Sequence, residues 1–181
     1  MTNYDEKQML EQLSKPETQR KAFEVLVRLY SELLYWQIRR IVLTHEDAND
    51  VLQNTFLKAW NALSGFHGES KVSTWLMRIA INESLDFLRR NKHQSASVDD
   101  EKGVAASLMA DPYFDGSEVE AQLQEAIATL PEVQRAVFQL RYYDEMKYSE
   151  MSQLLGTSEG ALKASYHIAV QKISEYVKRK N

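Results

Sequence analysis

Apolar residues return every three or four positions along most of this chain, and the rhythm fails once, between Asn91 and Glu120. That spacing lines one face of an α-helix, so the chain is expected to be all-α, in two helical domains separated by an aperiodic stretch. From Ala22 to Val42 the series is Phe23, Leu26, Val27, Tyr30, Leu33, Leu34, Ile38 and Ile41. A second series, Ala48, Val51, Leu52, Thr55, Phe56, Ala59, Trp60 and Leu63, stops before Gly65. Trp60 continues that stripe and is read as core, the commoner fate of an aromatic at helical spacing. A third helix, from about Ser73 to Arg90, is apolar around most of its girth, which makes it the expected centre of its bundle. No strand alternation occurs.

Between Asn91 and Glu120, Ser95, Ser97, Asp99, Asp100, Gly103, Asp111, Pro112, Asp115 and Gly116 supply turn chemistry, and the stretch is read as a flexible linker. Its apolar cluster, Val104 to Met109 with Tyr113 and Phe114, either docks on a partner or forms a short helix. The net charge of −4 divides unevenly: residues 1–93 carry 13 Lys+Arg against 12 Asp+Glu, residues 94–120 carry 1 against 7, and residues 121–181 carry 8 against 7. An acidic linker between two near-neutral domains leaves room for local basic faces, so the overall charge does not exclude nucleic acid. The absence of cysteine excludes disulfides, a thiolate zinc site and a cysteine nucleophile. No apolar run approaches the ~20 residues that span a bilayer, and MTNYDEKQ lacks the apolar stretch of a signal peptide. A cytoplasmic protein without membrane insertion is the expectation.

In the second half, Val119, Leu123, Ile127 and Leu130 mark a short helix closed by Pro131, and Val133, Val137, Phe138 and Leu140 begin another. Residues 148–173, YSEMSQLLGTSEGALKASYHIAVQKI, fit a helix-turn-helix. Gly156 sits where the chain needs a left-handed backbone, and small Ser152 lets the second helix cross closely. Met151, Leu155, Leu162 and Ala169 are expected to face inward. Ser158 can cap the second helix, leaving Glu159, Gly160, Lys163, Ala164 and His167 near its exposed start, where they can enter a major groove. The alternative is an ordinary helical hairpin with Lys163 as a solvated charge.

The segment before this motif, AIATLPEVQRAVFQLRYYDEMKYSE, makes a family likeness visible. Residues 126–173 resemble region 4 of extracytoplasmic-function (ECF) sigma factors of the sigma-70 family. Residues 22–92, with HEDANDVLQNTFLKAW and then FHGESKVSTWLMRIAINESLDFLRR, resemble region 2. The resemblance implies a region 2 helical bundle over residues 1–93, a linker over 94–120 and a region 4 helix-turn-helix over 121–181. It implies a transcription initiation factor that binds core RNA polymerase, at the clamp helices of the largest subunit and at the flap, and directs it to promoter DNA. It also implies control by an anti-sigma factor, no catalytic residue, no cofactor and no metal.

The resemblance carries site residues too. Asp47, Asp50, Gln53 and Asn54 form the implied polymerase dock, although acids near a helix start also complement its dipole. The loop Phe66, His67, Gly68, Glu69, Ser70 and Lys71, with Arg78 and Asn82, corresponds to the family's minus-ten reading surface, where a flipped base needs stacking and edge partners. Phe66 has a core-plug reading of equal standing, and Trp75 is open between core and strand-separation edge. Arg89, Arg90 and Lys92 are candidate phosphate contacts or a solvated face. Ser158, Glu159, Gly160, Lys163, Ala164, His167 and Lys172 correspond to the minus-thirty-five reader. Two departures stand out: His67 replaces an arginine common in the family, and Ala164 to Ile168 lack the arginines many members carry there. Weak minus-thirty-five binding in isolation should follow. The basic end Lys178-Arg179-Lys180 either compensates or only solubilises the last helix.

Two other classes fit part of the pattern. A conventional helix-turn-helix regulator would bind duplex DNA as a symmetric dimer without polymerase, and a structural helical protein would tolerate charge reversal at Asp50 or Lys163. An enzyme does not fit: there is no phosphate-binding glycine loop and no nucleophile elbow, and His45, His67, His93 and His167 lack metal-ligand spacing with acids.

Overall fold

A computed structural model describes residues 6–92, 109 and 116–180. The described residues form helices and connecting turns without strands. Helix α1 (Glu6–Ser14) leads into α2 (Pro16–Val42), α3 (His45–Ala62) with a 3-10 turn (Leu63–Gly65), and α4 (Val72–Lys92). After the linker come α5 (Glu118–Ala128), α6 (Glu132–Tyr142), α7 (Tyr148–Leu155) and α8 (Glu159–Lys180). Most of the anticipated linker, including Val104 to Leu108, Tyr113 and Phe114, lies outside the described residues; Met109 is helical and half exposed.

In the first bundle α2, α3 and α4 pack on one another, and α1 lies against α2. Pro16 starts α2, where its missing N–H costs nothing. Leu43 ends it in the left-handed region at φ 75°, with its N–H donated to Arg39 O. Thr44 then caps α3 by accepting from Asp47 N at 3.1 Å. The core joins Leu26, Leu34, Ile38, Val51, Leu76 and Ala80, each at most 1% exposed. Helix α1 was not anticipated, because nine residues with two buried positions, Met9 and Leu13, give little periodicity to read. It fastens the later loop: Glu6 accepts from Val72 N at 2.7 Å, supplying an acceptor at the start of α4. Trp60 corrects an expectation. It is 39% exposed, resting edge-on to Phe23 with ring centroids 5.0 Å apart. The inner row of α3 is made by Ala48, Val51, Thr55 and Ala59, and Trp60 lies at its margin.

The second bundle packs α8 across α5, α6 and α7. Gly156 is left-handed at φ 64° as expected, with its N–H donated to Ser152 O. Glu150 reaches back to the Lys147 N–H at 3.0 Å, closing the start of α7. Glu125, 1% exposed, accepts from Tyr176 Oη at 2.7 Å and from Lys180 Nζ at 2.7 Å, which ties the end of α8 to α5.

The two bundles also pack against each other. Ile41, Ile81 and Leu85 share an apolar cluster with Val137, Leu140 and Met151. Arg135 Nη1 donates to Ile41 O at 3.0 Å, and Gln139 Nε2 donates to Arg40 O at 3.0 Å. Side chains of α6 thereby satisfy carbonyls at the end of α2 that have no partner within the helix. Arg40 Nη1 meets Asp144 Oδ1 at 3.2 Å. Burial holds the Asp144 carboxyl above its usual range, although Gln37 and Arg40 pull it down.

Candidate polymerase and nucleic-acid interfaces

On α3 the buried row Ala48, Val51 and Thr55 turns the intervening side chains outward: Asp50, Gln53 and Asn54 are exposed and Asp47 is half-buried. Asp50, Gln53 and Asn54 line one hollow of about 420 Å³ with Phe87, Arg90 and Asn91 from the end of α4. Three of the four residues expected to meet polymerase thus share a polar face, with Arg90 beside them.

The 66–71 loop is held at both ends. Phe66 N donates to Leu63 O, and Glu6 holds Val72. Gly68 has φ 77°, and a Cβ there would meet Leu10 Cδ1 at 3.2 Å, so both backbone and neighbour favour glycine. His67, Glu69 and Lys71 are exposed, while Ser70 is half-buried. Phe66 is half-buried and stacked on Trp75, with centroids 4.4 Å apart and planes 14° apart. The two aromatics left open by the sequence are therefore each other's partners, packed on the core edge.

Asn82, exposed on α4, opens into a hollow of about 590 Å³ lined also by Lys58, Asn61, Ile79, Asp86 and Arg89. Glu83, 4% exposed, forms an ion pair with Lys58 at its wall, and Arg89 meets Asp86 at 3.0 Å. The chamber combines an apolar patch, two amides able to read donor and acceptor edges, and cations at its rim. Lys58 and Asn61 were missed in the sequence. They stand on the polar side of α3, and nothing in that helix's own pattern says that α4 will face them. Arg78 is exposed, but its Nη2 donates to Gln153 O of α7 at 3.1 Å, so the second bundle holds it.

In the helix-turn-helix, Ser158 Oγ accepts from Ala161 N at 3.3 Å, the expected cap. Ser158, Glu159, Gly160, Lys163, Ala164 and His167 are all exposed, while Leu162 and Ala169 are buried beneath them. Met151 is fully buried and Leu155 half-buried. Lys163 lies 3.9 Å from Glu159 and 5.6 Å from the centroid of Tyr148, contacts that orient it without covering it. Lys172, two turns on, donates to Gln134 Oε1 at 3.1 Å. Tyr166 stacks on Phe138 below this row, and burial raises its phenol pKa. Of the terminal basic trio, Lys180 turns back to Glu125, while Lys178 and Arg179 are exposed. No His/Asp/Glu group able to hold a metal ion occurs among the described residues, nor is any described helix long and apolar enough to cross a membrane.

An all-α chain that presents a polar helix face and an amide-lined hollow on one bundle, and a helix-turn-helix on the other, has the build of a DNA-reading protein with a second protein surface. Comparison with known proteins narrows this. The Sigma-70 region 2 profile matches residues 26–94, and the Sigma-70, region 4 profile matches residues 120–173. RNA polymerase sigma factor YlaC of Bacillus subtilis is 31% identical over 156 residues, covering 83% of this chain and 88% of YlaC. ECF RNA polymerase sigma factor SigM of Mycobacterium tuberculosis is 33% identical over 146 residues, covering 80% of this chain and 71% of SigM. The fold matches that of CnrH, solved in complex with the cytosolic domain of CnrY, at TM-score 0.69 and 23% identity, covering 97% of this chain and 99% of that one. It also matches the sigma factor RpoE of Bartonella quintana, solved in complex with the anti-sigma factor NepR, at TM-score 0.66 and 21% identity, covering 87% and 98%. The chain belongs to the ECF RNA polymerase sigma factors of the sigma-70 family. It is a transcription initiation factor, directing RNA polymerase to promoters.

Proposed function

We propose that the two bundles divide the work of promoter recognition along the lines 1–93 and 121–181. The polar face Asp47, Asp50, Gln53 and Asn54 docks on the clamp helices of core polymerase. The 66–71 loop and Asn82 take a base of the melted minus-ten strand, with Arg78 on phosphate. The exposed row from Ser158 to His167, with Lys172, reads the minus-thirty-five duplex while polymerase supplies most of the affinity. The observation that carries this reading is the open hollow at Asn82, whose lining of two amides, an apolar patch and cations offers partners to a base edge and its phosphate. Polymerase performs the catalysis, and this subunit contributes binding energy only. We further propose that the protein acts in the cytoplasm under an anti-sigma factor; the partner named for the B. quintana relative favours such control.

The test is a holoenzyme promoter-library selection with native chain, Asn82→Ala and His167→Ala. Asn82→Ala should relax base preference in the upstream part of the melted segment only, and His167→Ala should do so in the minus-thirty-five segment only. Unchanged preferences in both variants would contradict the assignment.

A further inference from the structure

Helix α4 begins without a cap of its own. It starts at Val72, with Trp75 N donating to Lys71 O at 3.0 Å, so the cap position falls on Lys71, whose side chain can only donate. Ser70, a far better cap, stands one place too early, and its hydroxyl is turned to Lys71 O at 3.4 Å. The acceptor for the Val72 N–H comes instead from 66 residues away, as Glu6 Oε1 at 2.7 Å. We infer that Glu6 is a positioning residue for promoter reading: by capping α4 from α1 it fixes where that helix begins, and so keeps the whole 66–71 loop, Ser70 included, open to DNA. The inference rests on the assignment of that loop to the melted minus-ten strand.

An acid in the first turn of α1 also complements that helix's own dipole, but the surrounding contacts give Glu6 a second task. Helix α1 meets the loop twice: at Val72 through Glu6, and at Gly68, where a Cβ would meet Leu10 Cδ1 at 3.2 Å. Glu6 and Leu10 lie one turn apart on the same face of α1. The far end of α1 is fixed by α2. Thr18 Oγ1 donates to Gln12 O at 2.7 Å and Gln19 Nε2 to Leu13 O at 2.9 Å, satisfying carbonyls that the helix itself leaves open. Met9 and Leu13, 2% and 4% exposed, bury the inner face of α1 in the bundle core. A strut anchored on α2 thus supports the loop at its middle and its exit, while the stack of Phe66 on Trp75 holds its entry. Without Glu6 the Val72 N–H loses its acceptor, and Ser70 is the neighbouring side chain suited to replace it. A cap at Ser70 puts Val72 at the second helical position, within reach of the Ser70 hydroxyl, and starts α4 one residue earlier. The loop would then be shorter and its hydroxyl withdrawn from DNA.

Amide hydrogen exchange and a holoenzyme promoter-library selection, both on the full chain, test this with Glu6→Ala. The Val72 amide should exchange about tenfold faster, the loss of one hydrogen bond to a charged group, with the rise confined to the loop and the first turn of α4. Base preference in the melted minus-ten segment should flatten about fivefold, the usual contribution of a cap, while minus-thirty-five preference and core affinity match the native chain. Glu6→Gln, which keeps an acceptor at the same place, should retain most of the preference. Lys71→Asn gives α4 a cap of its own, so adding Glu6→Ala to it should leave the preference of Lys71→Asn unaltered. Preference unmoved by Glu6→Ala, where Asn82→Ala moves it, overturns the positioning role and leaves the loop assignment intact. Equal losses at both promoter elements, with exchange rising throughout the first bundle, make Glu6 a structural residue only and overturn the role as well. So does a full Glu6→Ala effect in the Lys71→Asn background. If neither Asn82→Ala nor Glu6→Ala moves the preference, the loop assignment falls, and the positioning role with it.

Discussion

Arg135 offers the sharpest energetic test. It is 8% exposed, and its guanidinium is shared by three main-chain carbonyls: Ile41 O at 3.0 Å, Ala128 O at 2.5 Å and Leu130 O at 3.3 Å. These are the ends of α2 and of α5 with its following turn, where carbonyls lack helical donors and the helix dipoles favour a cation. Arg135→Met keeps the stem and removes every donor. A hydrogen bond to a charged group contributes ~1.5–3 kcal/mol, and the three are not additive, so the loss should be about 3–5 kcal/mol. At ~2–4 °C per kcal/mol for a chain of this size, the melting midpoint should fall by roughly 6–20 °C. Urea unfolding followed by helical circular dichroism measures the same loss as a lower midpoint at constant slope. Arg135→Lys should recover less than half, because a point charge cannot serve three carbonyls arranged around a planar fork. A loss under about 1 kcal/mol in Arg135→Met would show that water replaces the guanidinium freely, and the capping argument would fail.

Further outcomes follow from other residues. Gly156→Ala meets no atom within 4 Å but must hold φ 64°, so it should cost about 1–2 kcal/mol of stability in urea melts with no change of fold. Burial alone would raise the Glu125 pKa, but the hydrogen bonds from Lys180 and Tyr176 and the Lys180 charge bring it below the ordinary 4.5. Its ion pair therefore stabilises the fold fully above pH ~4.5 and loses that effect as pH falls through the lowered value. The stability gap between native chain and Glu125→Gln should accordingly close on acidification; a gap that widens there would reverse the sign. Lys163→Glu should weaken minus-thirty-five duplex binding by the second bundle's helix-turn-helix and flatten its salt dependence by about one unit of slope; an unchanged slope would remove Lys163 from the phosphate contacts.

Periodicity carried much of this architecture. The buried rows of α2, α3 and α4 stand largely where apolar spacing put them, apart from Trp60 and from Leu33 of the α2 series, which is 46% exposed, and Gly156 and Ser158 adopt the turn and cap their residue types suggested. The candidate site was legible as positions but less so as geometry. Asp50, Gln53 and Asn54 were readable as an outward face, yet their shared hollow with Arg90 depends on how α3 meets α4. Buried carboxylates were invisible, because Glu83 and Glu125 read as solvent-facing until Lys58, Lys180 and Tyr176 are seen to satisfy them. Trp60 was misplaced because a helical stripe specifies an apolar face and not how far its margin is covered. The seam was hidden for a related reason: Ile41 and Ile81 announce burial, but a one-dimensional pattern does not name the partner surface. The same holds for Arg78, whose carbonyl partner lies 75 residues away in sequence.

The most direct test is in vitro transcription from a fragmented genomic library, comparing bacterial core polymerase alone with core plus this chain. The account predicts new, specific start sites that require the chain and disappear with Asp50→Arg, a variant whose circular dichroism should match the native protein. No new starts, together with duplex DNA binding that needs no polymerase, would contradict it.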